Sequence, residues 1–181
     1  MKLVILDRDG VINYDSVAYI KTPDEWIPIP GSLDAIARLH QAGYTMVVAS
    51  NQSGVGRGLI KLPDLEAINN KMLAAVAAAG GRLTDIFYCP HRPEDNCDCR
   101  KPRPGLLWQI EKRFSQSLKG IPSIGDSLRD LQAAEVVNAR PILVHTGNGE
   151  QTLQSLGSRE DVEIYPDLAA AADQLIKELK A

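Results

Sequence analysis

The chain has 181 residues, of which 44% are hydrophobic and 24% are charged. That length suits one domain with a substantial core, and the composition is typical of a folded globular protein rather than a disordered one. The net charge of -3 argues against nucleic acid as the main partner. Because no apolar run is long enough for a signal peptide or a bilayer span, we expect a cytoplasmic protein without a membrane partner, and we expect a monomer.

Segments that favour strands alternate with segments that favour helices. In chain order they are a strand over 2–6, a helix over 32–41, a strand over 45–49, a helix over 64–79, a strand over 86–88, a helix over 105–114, a strand over 121–124, a helix over 128–137, a strand over 141–145, a short edge strand over 162–164 and a helix over 168–179. This alternation predicts an α/β fold, with parallel strands joined by crossover helices that cover both faces of the sheet. We see no linker, so residues 1–181 are expected to form a single domain.

Two acids follow the first predicted strand, in the sequence Asp7-Arg8-Asp9-Gly10. Asp7 can attack the phosphorus of a phosphate ester, and Asp9 can give a proton to the leaving oxygen and then activate water. Gly10 would let the main chain approach the phosphoryl group closely. Taken alone, the two acids are equally consistent with a solvated turn.

Polar residues also follow two other predicted strands. Asp126 would complete, with Asp7, an all-oxygen site of the kind that Mg²⁺ prefers. One helical turn later, Asp130 either orients these ligands or forms a capping box with Ser127, and the two roles are compatible. Ser50 and the main-chain N–H groups after it can hold phosphate oxygens. Because ligands bind beyond the carboxyl ends of parallel strands, we expect one composite site.

A basic loop stiffened by proline precedes the predicted helix at 105–114. Lys101 is suited to act as a fixed cation beside the phosphoryl group and the nucleophile. Arg100 and Arg103 could contact other parts of an anionic substrate. The alternative for this loop is a solvated basic surface.

All three cysteines of the chain, Cys89, Cys97 and Cys99, lie in one short segment together with His91. Three thiols and one imidazole match a closed Cys₃His zinc site, although reactive or incidental thiols are an alternative. Since the protein would fill all four positions, we interpret the zinc as structural. The zinc loop covers 89–99 and leads directly into the basic loop, so we expect the metal to fix the position of Lys101.

The predicted substrate contacts follow the strand ends or lie in nearby loops: Gly10, Asp15, Ser16, Tyr19, Asn51, Gln52, Ser53, Arg57, Arg100 and Ser127. The spacing between the motifs leaves no room for a separate cap domain, so we expect an open pocket shaped by short loops. Trp26 and Trp108 are interpreted as packing residues.

The order of the motifs D-x-D-G-V, S-N-Q, R-K-P and G-D-S-x-x-D resembles that of the haloacid dehalogenase (HAD) superfamily of phosphohydrolases, over nearly the whole chain. The resemblance implies a three-layer Rossmann-like fold without a large cap domain. It implies that Asp7 is the nucleophile, that Asp9 is the acid and base, and that Ser50 and Lys101 steady the phosphoryl group. It also implies that Mg²⁺ is held by Asp7, the main-chain carbonyl of Asp9, and Asp126.

The zinc cluster narrows the resemblance to a group whose members act on D-glycero-D-manno-heptose 1,7-bisphosphate or on histidinol phosphate. We expect the first activity, with removal of the C7 phosphate through an aspartyl-phosphate, in the synthesis of lipopolysaccharide precursors. Arg57, Arg100 and Arg103 suit a second anionic group, whereas the ammonium and imidazole of histidinol phosphate would favour acids at the rim. A zinc-stabilised binding protein without activity is a third hypothesis, which the presence of Asp7 and Asp9 disfavours.

Overall fold

The computed structural model describes residues 1–157, 159 and 161–180, and its centre is a six-stranded sheet in which every neighbouring pair of strands is parallel. The strands are β1 (Leu3–Leu6), β2 (Thr45–Asn51), β3 (Leu83–Cys89), β4 (Pro122–Gly125), β5 (Arg140–Val144) and β6 (Glu163–Tyr165). They lie in the order β3-β2-β1-β4-β5-β6. The parallel sheet predicted from the alternating segments is confirmed.

Helices cover both faces of this sheet. They are α1 (Ser32–Gln41), α2 (Ser53–Gly56), α3 (Leu62–Ala78), α4 (Gly105–Phe114), α5 (Leu128–Val136), α6 (Gly149–Leu156) and α7 (Leu168–Glu178), with 3₁₀ turns at Pro23–Glu25 and Pro93–Asp95. Helices α1, α3 and α7 bury their apolar residues against one face, and α4 and α5 pack on the other with α6 at its margin. The result is the three-layer architecture expected from the sequence.

Some elements differ from the sequence prediction. Strand β3 is longer than the predicted 86–88, because its polar residues pair along β2 at the edge of the sheet and need no burial. The short helices α2 and α6 were not predicted. Of the two tryptophans interpreted as packing residues, Trp26 is buried, whereas Trp108 is 51% exposed, because α4 buries the face that carries Leu106, Leu107 and Ile110.

The order of the strands brings the predicted motifs together. Strand β1 lies between β2 and β4, so Leu6 pairs with Val48 on one side and with Ile124 on the other. The residues that follow these three parallel strands therefore meet at one edge of the sheet. The segments 7–31 and 52–82, all of which the structure describes, contain turns, α2 and α3 but no inserted domain, which confirms the absence of a large cap.

Within the described residues, no helix combines the length and the apolar character needed to cross a bilayer.

Candidate active site

Three carboxylates meet where β1 and β4 end. Asp7, Asp126 and Asp130 are buried, and each offers an oxygen within 4.8 Å of the others. Burial raises the pKa of Asp7 to about 8, because Lys101 opposes this rise only in part and the neighbouring carboxylates reinforce it. Burial and Asp130 likewise raise the pKa of Asp126 to about 6. The protein atoms alone therefore leave this cluster short of positive charge.

This shortage fits a divalent cation. Oδ1 of Asp126 is buried and accepts no hydrogen bond from the described residues, although its Oδ2 accepts two. The donor set consists of carboxylate oxygens, which are the ligands that Mg²⁺ prefers. Gly10 packs tightly against the same carboxylate: a Cβ there would lie 2.1 Å from Asp126 Oδ2, and its φ of +83° is one that other residues rarely adopt. The residues present thus fit a magnesium site.

Lys101 is a buried cation beside these acids. Its Nζ lies 3.2 Å from Asp7 Oδ1 and 2.6 Å from Asp130 Oδ1, and it donates a hydrogen bond to the carbonyl of Ala49 at 2.6 Å. Burial opposes its charge, but Asp130 and Asp7 outweigh that effect and raise the pKa of Lys101. A permanently charged ammonium is therefore held against the predicted nucleophile.

Asp130 serves two partners at once. Burial would raise its pKa, but the ion pair with Lys101 lowers it overall, so the carboxylate stays charged. Its Oδ2 also accepts hydrogen bonds from the main-chain N–H and the hydroxyl of Ser127. The first of these belongs to the capping box of α5, in which the main-chain N–H of Asp130 donates back to the Ser127 side chain. Ser127, predicted to contact substrate, is thus engaged with Asp130, and Asp130 orients Lys101.

Asp9 is held apart from the three-carboxylate cluster by four donors. Arg8 Nε and Nη2 lie 3.0 and 3.1 Å from its two oxygens, Asn13 Nδ2 lies 2.8 Å from Oδ1, and Gln52 Nε2 lies 2.9 Å from Oδ2. Burial would raise the pKa of Asp9, but these donors, with Arg8 foremost, lower it. These donors therefore keep the Asp9 carboxylate charged, and it must take up a proton before it can act as an acid.

Arg8 is a further site residue, which the motifs did not indicate, and it is only 1% exposed. Besides Asp9, its guanidinium donates to Gln52 Oε1 at 3.0 Å, and Gln52 in turn donates to Ser50 Oγ at 2.7 Å. This network connects the predicted acid and base to the predicted phosphate ligand. The available signal was a cation placed between two acids at the end of a buried strand.

An open cleft of about 260 Å³ lies over these residues. Of the predicted substrate contacts, all but Gly10 and Ser127 line it, as do Asp7, Asp9 and Ser50. Arg129, which is not among the predicted substrate contacts, lines the same cleft together with Arg100 and Arg57. Burial, and then the charges of Arg129 and Arg57, lower the pKa of Arg100. The mouth of the cleft therefore carries a group of cations suited to an anion.

Beside the cleft, the four predicted zinc ligands converge. Cys99 Sγ lies 3.1 Å from Cys89 Sγ and 3.5 Å from Cys97 Sγ, and His91 Nδ1 lies 3.3 Å from Cys99 Sγ. None of the three cysteines, all of them in the described residues, forms a disulfide. Distances of this size between thiolates and an imidazole are close to those around a tetrahedral metal. Cys99 is followed directly by Arg100 and Lys101.

Comparisons with known families agree with this geometry. The sequence model of the Polynucleotide kinase 3 phosphatase family matches residues 2–127, and that of the HAD-hydrolase-like family matches residues 98–171. Together with the fold and the four motif positions, they define the class as HAD-like phosphohydrolases.

Individual relatives narrow the class. A D-glycero-beta-D-manno-heptose-1,7-bisphosphate 7-phosphatase of Bordetella bronchiseptica is 55% identical over 98% of this chain and 99% of its own length. A protein of the same name from Pseudomonas putida is 56% identical over 97% of this chain and 100% of its own length. A crystal structure of D,D-heptose 1,7-bisphosphate phosphatase from B. bronchiseptica, complexed with magnesium and phosphate, matches with a TM-score of 0.96 at 55% identity and covers 98% of this chain and 99% of its own. The chain therefore belongs to the family of the D-glycero-beta-D-manno-heptose-1,7-bisphosphate 7-phosphatases, and it is a phosphoric monoester hydrolase.

Proposed function

We propose that this enzyme removes the C7 phosphate of D-glycero-D-manno-heptose 1,7-bisphosphate, with Mg²⁺ as cofactor and an aspartyl-phosphate as intermediate. The observation that carries the proposal is the 55% identity to a phosphatase of that name over 98% of the chain. The buried acids, the lysine and the cationic cleft supply the chemistry that such a reaction needs.

Asp7 is the nucleophile in this proposal. Its carboxylate oxygen forms a bond to phosphorus while the bond from phosphorus to the C7 oxygen breaks, and the released electron pair stays on that oxygen, which takes a proton from Asp9. Asp9 then accepts a proton from water, whose oxygen attacks the phosphorus and returns the electron pair to Asp7. The four donors around Asp9 keep its carboxylate oriented for both transfers.

Charge stabilisation falls to groups at the neighbouring strand ends. Ser50 and Lys101 hold the non-bridging oxygens, and the ammonium of Lys101 is fixed by Asp130 before substrate arrives. Asp7, the main-chain carbonyl of Asp9, and Asp126 would hold Mg²⁺, which when bound neutralises charge on the carboxylates and the phosphoryl group.

Substrate choice follows from the charge at the mouth of the cleft. Arg57, Arg100 and Arg129 favour a substrate with a second phosphate, which the heptose bisphosphate carries at C1. Histidinol phosphate carries an ammonium and an imidazole instead of a second phosphate. The arginines at the mouth of the cleft would repel these positively charged groups. Specificity of this kind is a difference in transition-state binding between the two compounds.

Parallel assays of phosphate release test the substrate. We expect kcat/KM for the heptose 1,7-bisphosphate to exceed that for histidinol phosphate by about 100-fold or more, since two unmatched charges cost several kcal/mol. The D-glycero-D-manno-heptose 7-phosphate is the matched control, because it keeps the reacting phosphate and lacks the second one. Equal or higher kcat/KM for histidinol phosphate would refute the heptose assignment and leave the phosphatase chemistry intact.

The proposal includes a structural Zn²⁺ held by Cys89, His91, Cys97 and Cys99. Because these thiols must stay reduced to bind metal, we propose that the enzyme works in the cytoplasm, on the route to lipopolysaccharide precursors. We further propose that it acts as a monomer, since each site residue comes from the same chain.

A further inference from the structure

The loop after β5 holds one oxygen of Asp126 by hydrogen bonds. The main-chain N–H of Asn148 donates to Asp126 Oδ2 at 2.7 Å, and its side-chain Nδ2 donates to the same oxygen at 3.0 Å. Thr152, in the first turn of α6, donates its hydroxyl to the carbonyl of Asp126 at 2.9 Å. A Cβ on Gly147 would lie 2.2 Å from Oδ2, so only glycine leaves room for this contact.

These contacts give the two oxygens of the Asp126 carboxylate different roles. Oδ2 already accepts two hydrogen bonds, whereas the buried Oδ1 accepts none from the described residues. A carboxylate that ligates a metal is oriented by donors to its other oxygen, and losing such a donor weakens metal binding. The unpartnered Oδ1 is thus the oxygen left available for a cation.

Asn148 also departs from the usual behaviour of its position. It is the N-cap residue of α6, where an asparagine side chain ordinarily accepts a hydrogen bond from the first turn of the helix. Its side chain makes no such bond. The amide nitrogen donates instead to Asp126 and, at 3.3 Å, to Asp15 Oδ2 in the loop that lines the cleft. Because both acceptors lie near the amide nitrogen, the side chain is oriented with that nitrogen toward Asp126 and Asp15. It therefore does not cap α6.

From this geometry we propose that Asn148 is a positioning residue of the magnesium site, which aims Asp126 Oδ1 at the ion and ties its ligand to the substrate loop through Asp15. The proposal rests on the magnesium site of the proposed function. Asn148 itself touches neither metal nor substrate. Its contribution is to the affinity for Mg²⁺ in the absence of substrate.

Calorimetric titration of the full-length, zinc-loaded and magnesium-free protein with Mg²⁺ alone tests this inference. Removing the side-chain donor in Asn148→Ala keeps the main-chain N–H, and we expect the dissociation constant for Mg²⁺ to rise about 10-fold or more. Gln151→Ala is the matched control, because Gln151 is an exposed amide residue one turn along α6 whose side chain has no hydrogen bond among the described residues. The control is expected to bind Mg²⁺ like the wild type.

Two further readouts separate positioning from a general loss of structure. The Mg²⁺ concentration for half-maximal turnover should also rise in Asn148→Ala, while kcat at saturating Mg²⁺ and the melting temperature of the zinc-loaded, magnesium-free protein stay near wild type. An unchanged dissociation constant would overturn the inference, whatever happens to the melting temperature. If the wild type bound no Mg²⁺ and Asp126→Asn behaved identically, both the magnesium site of the proposed function and the role of Asn148 would be refuted.

Discussion

Asn51 and Lys101 hold each other by a reciprocal pair of hydrogen bonds. Asn51 Nδ2 donates to the main-chain carbonyl of Lys101, and the main-chain N–H of Lys101 donates to Asn51 Oδ1, both at 3.0 Å. The Asn51 carboxamide therefore pairs with the main chain of the basic loop much as a neighbouring strand would. It adds to the contacts by which β2 fixes the position of that loop. Two residues earlier on the same strand, the main-chain carbonyl of Ala49 accepts a hydrogen bond from the ammonium of Lys101.

This contact gives Asn51, at the floor of the cleft, a role beyond the predicted substrate contact. We expect Asn51→Leu to lower kcat by about 10- to 100-fold through displacement of Lys101, since small misplacements of catalytic groups are costly. The loss should be the same for a sugar phosphate and for p-nitrophenyl phosphate. In a Lys101→Met background, Asn51→Leu should have little further effect on kcat. Additive losses in the double variant would show that Asn51 acts independently of Lys101.

The nucleophile can be tested together with the electrostatics of its site. Asp7→Asn should lower kcat by a factor on the order of 10⁴ or more, because the covalent route is lost. Since the pKa of Asp7 is raised to about 8 from 3.8, this group destabilises the magnesium-free fold above pH 3.8: up to about pH 8 folding must protonate it, and at higher pH folding must bury its charge. A neutral amide removes that penalty, so the melting temperature of zinc-loaded, magnesium-free Asp7→Asn at pH 7 should equal or exceed that of the wild type. A folded variant with wild-type turnover would rule out the aspartyl-phosphate.

Zinc should support both the fold and turnover. In Cys99→Ser the fourth ligand is lost, and we expect lower zinc content, a lower melting temperature and a lower kcat, because Cys99 lies two residues before Lys101. Metal analysis, thermal unfolding and phosphate release measure the three effects. Since Asn51 also holds Lys101, Cys99→Ser combined with Asn51→Leu should lose more activity than either change alone. Wild-type kinetics in zinc-free Cys99→Ser, assayed with Mg²⁺ present, would refute the link between zinc and the basic loop.

A comparison of two glycines with similar backbone conformations separates the cost of a strained backbone from the effect of a clash in the magnesium site. Gly10 and Gly43 have φ values of +83° and +86°, but a Cβ would meet Asp126 Oδ2 at 2.1 Å only in the first case and meets nothing within 4 Å in the second. Each alanine variant should lose about 1–2 kcal/mol of stability from the left-handed backbone. Only Gly10→Ala should also lose Mg²⁺-dependent activity, by displacing Asp126. Equal activity losses in the two variants would contradict this role for Gly10.

The sequence predicts what depends on local pattern. The buried run of β1 and the acids after it can be identified because strand, turn and motif are contiguous, and the parallel order follows from the alternation of strands and helices. Arg8 could not be assigned a role in this way, because its partner Gln52 lies 44 positions away. The same holds for Asn148, which meets Asp126 across 22 positions only once β4 and β5 are side by side. Side-chain contacts between loops that are distant in sequence can be identified only when the arrangement of the folded sheet is known.

In the described part of the chain, no inserted domain covers the carboxyl ends of the strands, and this affects how the enzyme releases its products. Inorganic phosphate and the sugar monophosphate can diffuse away without any hinge motion, so turnover is expected to be insensitive to solvent viscosity except at the diffusion limit. The same exposed mouth allows a molecule much larger than the cleft to present a terminal phosphate while the rest of it stays in solvent.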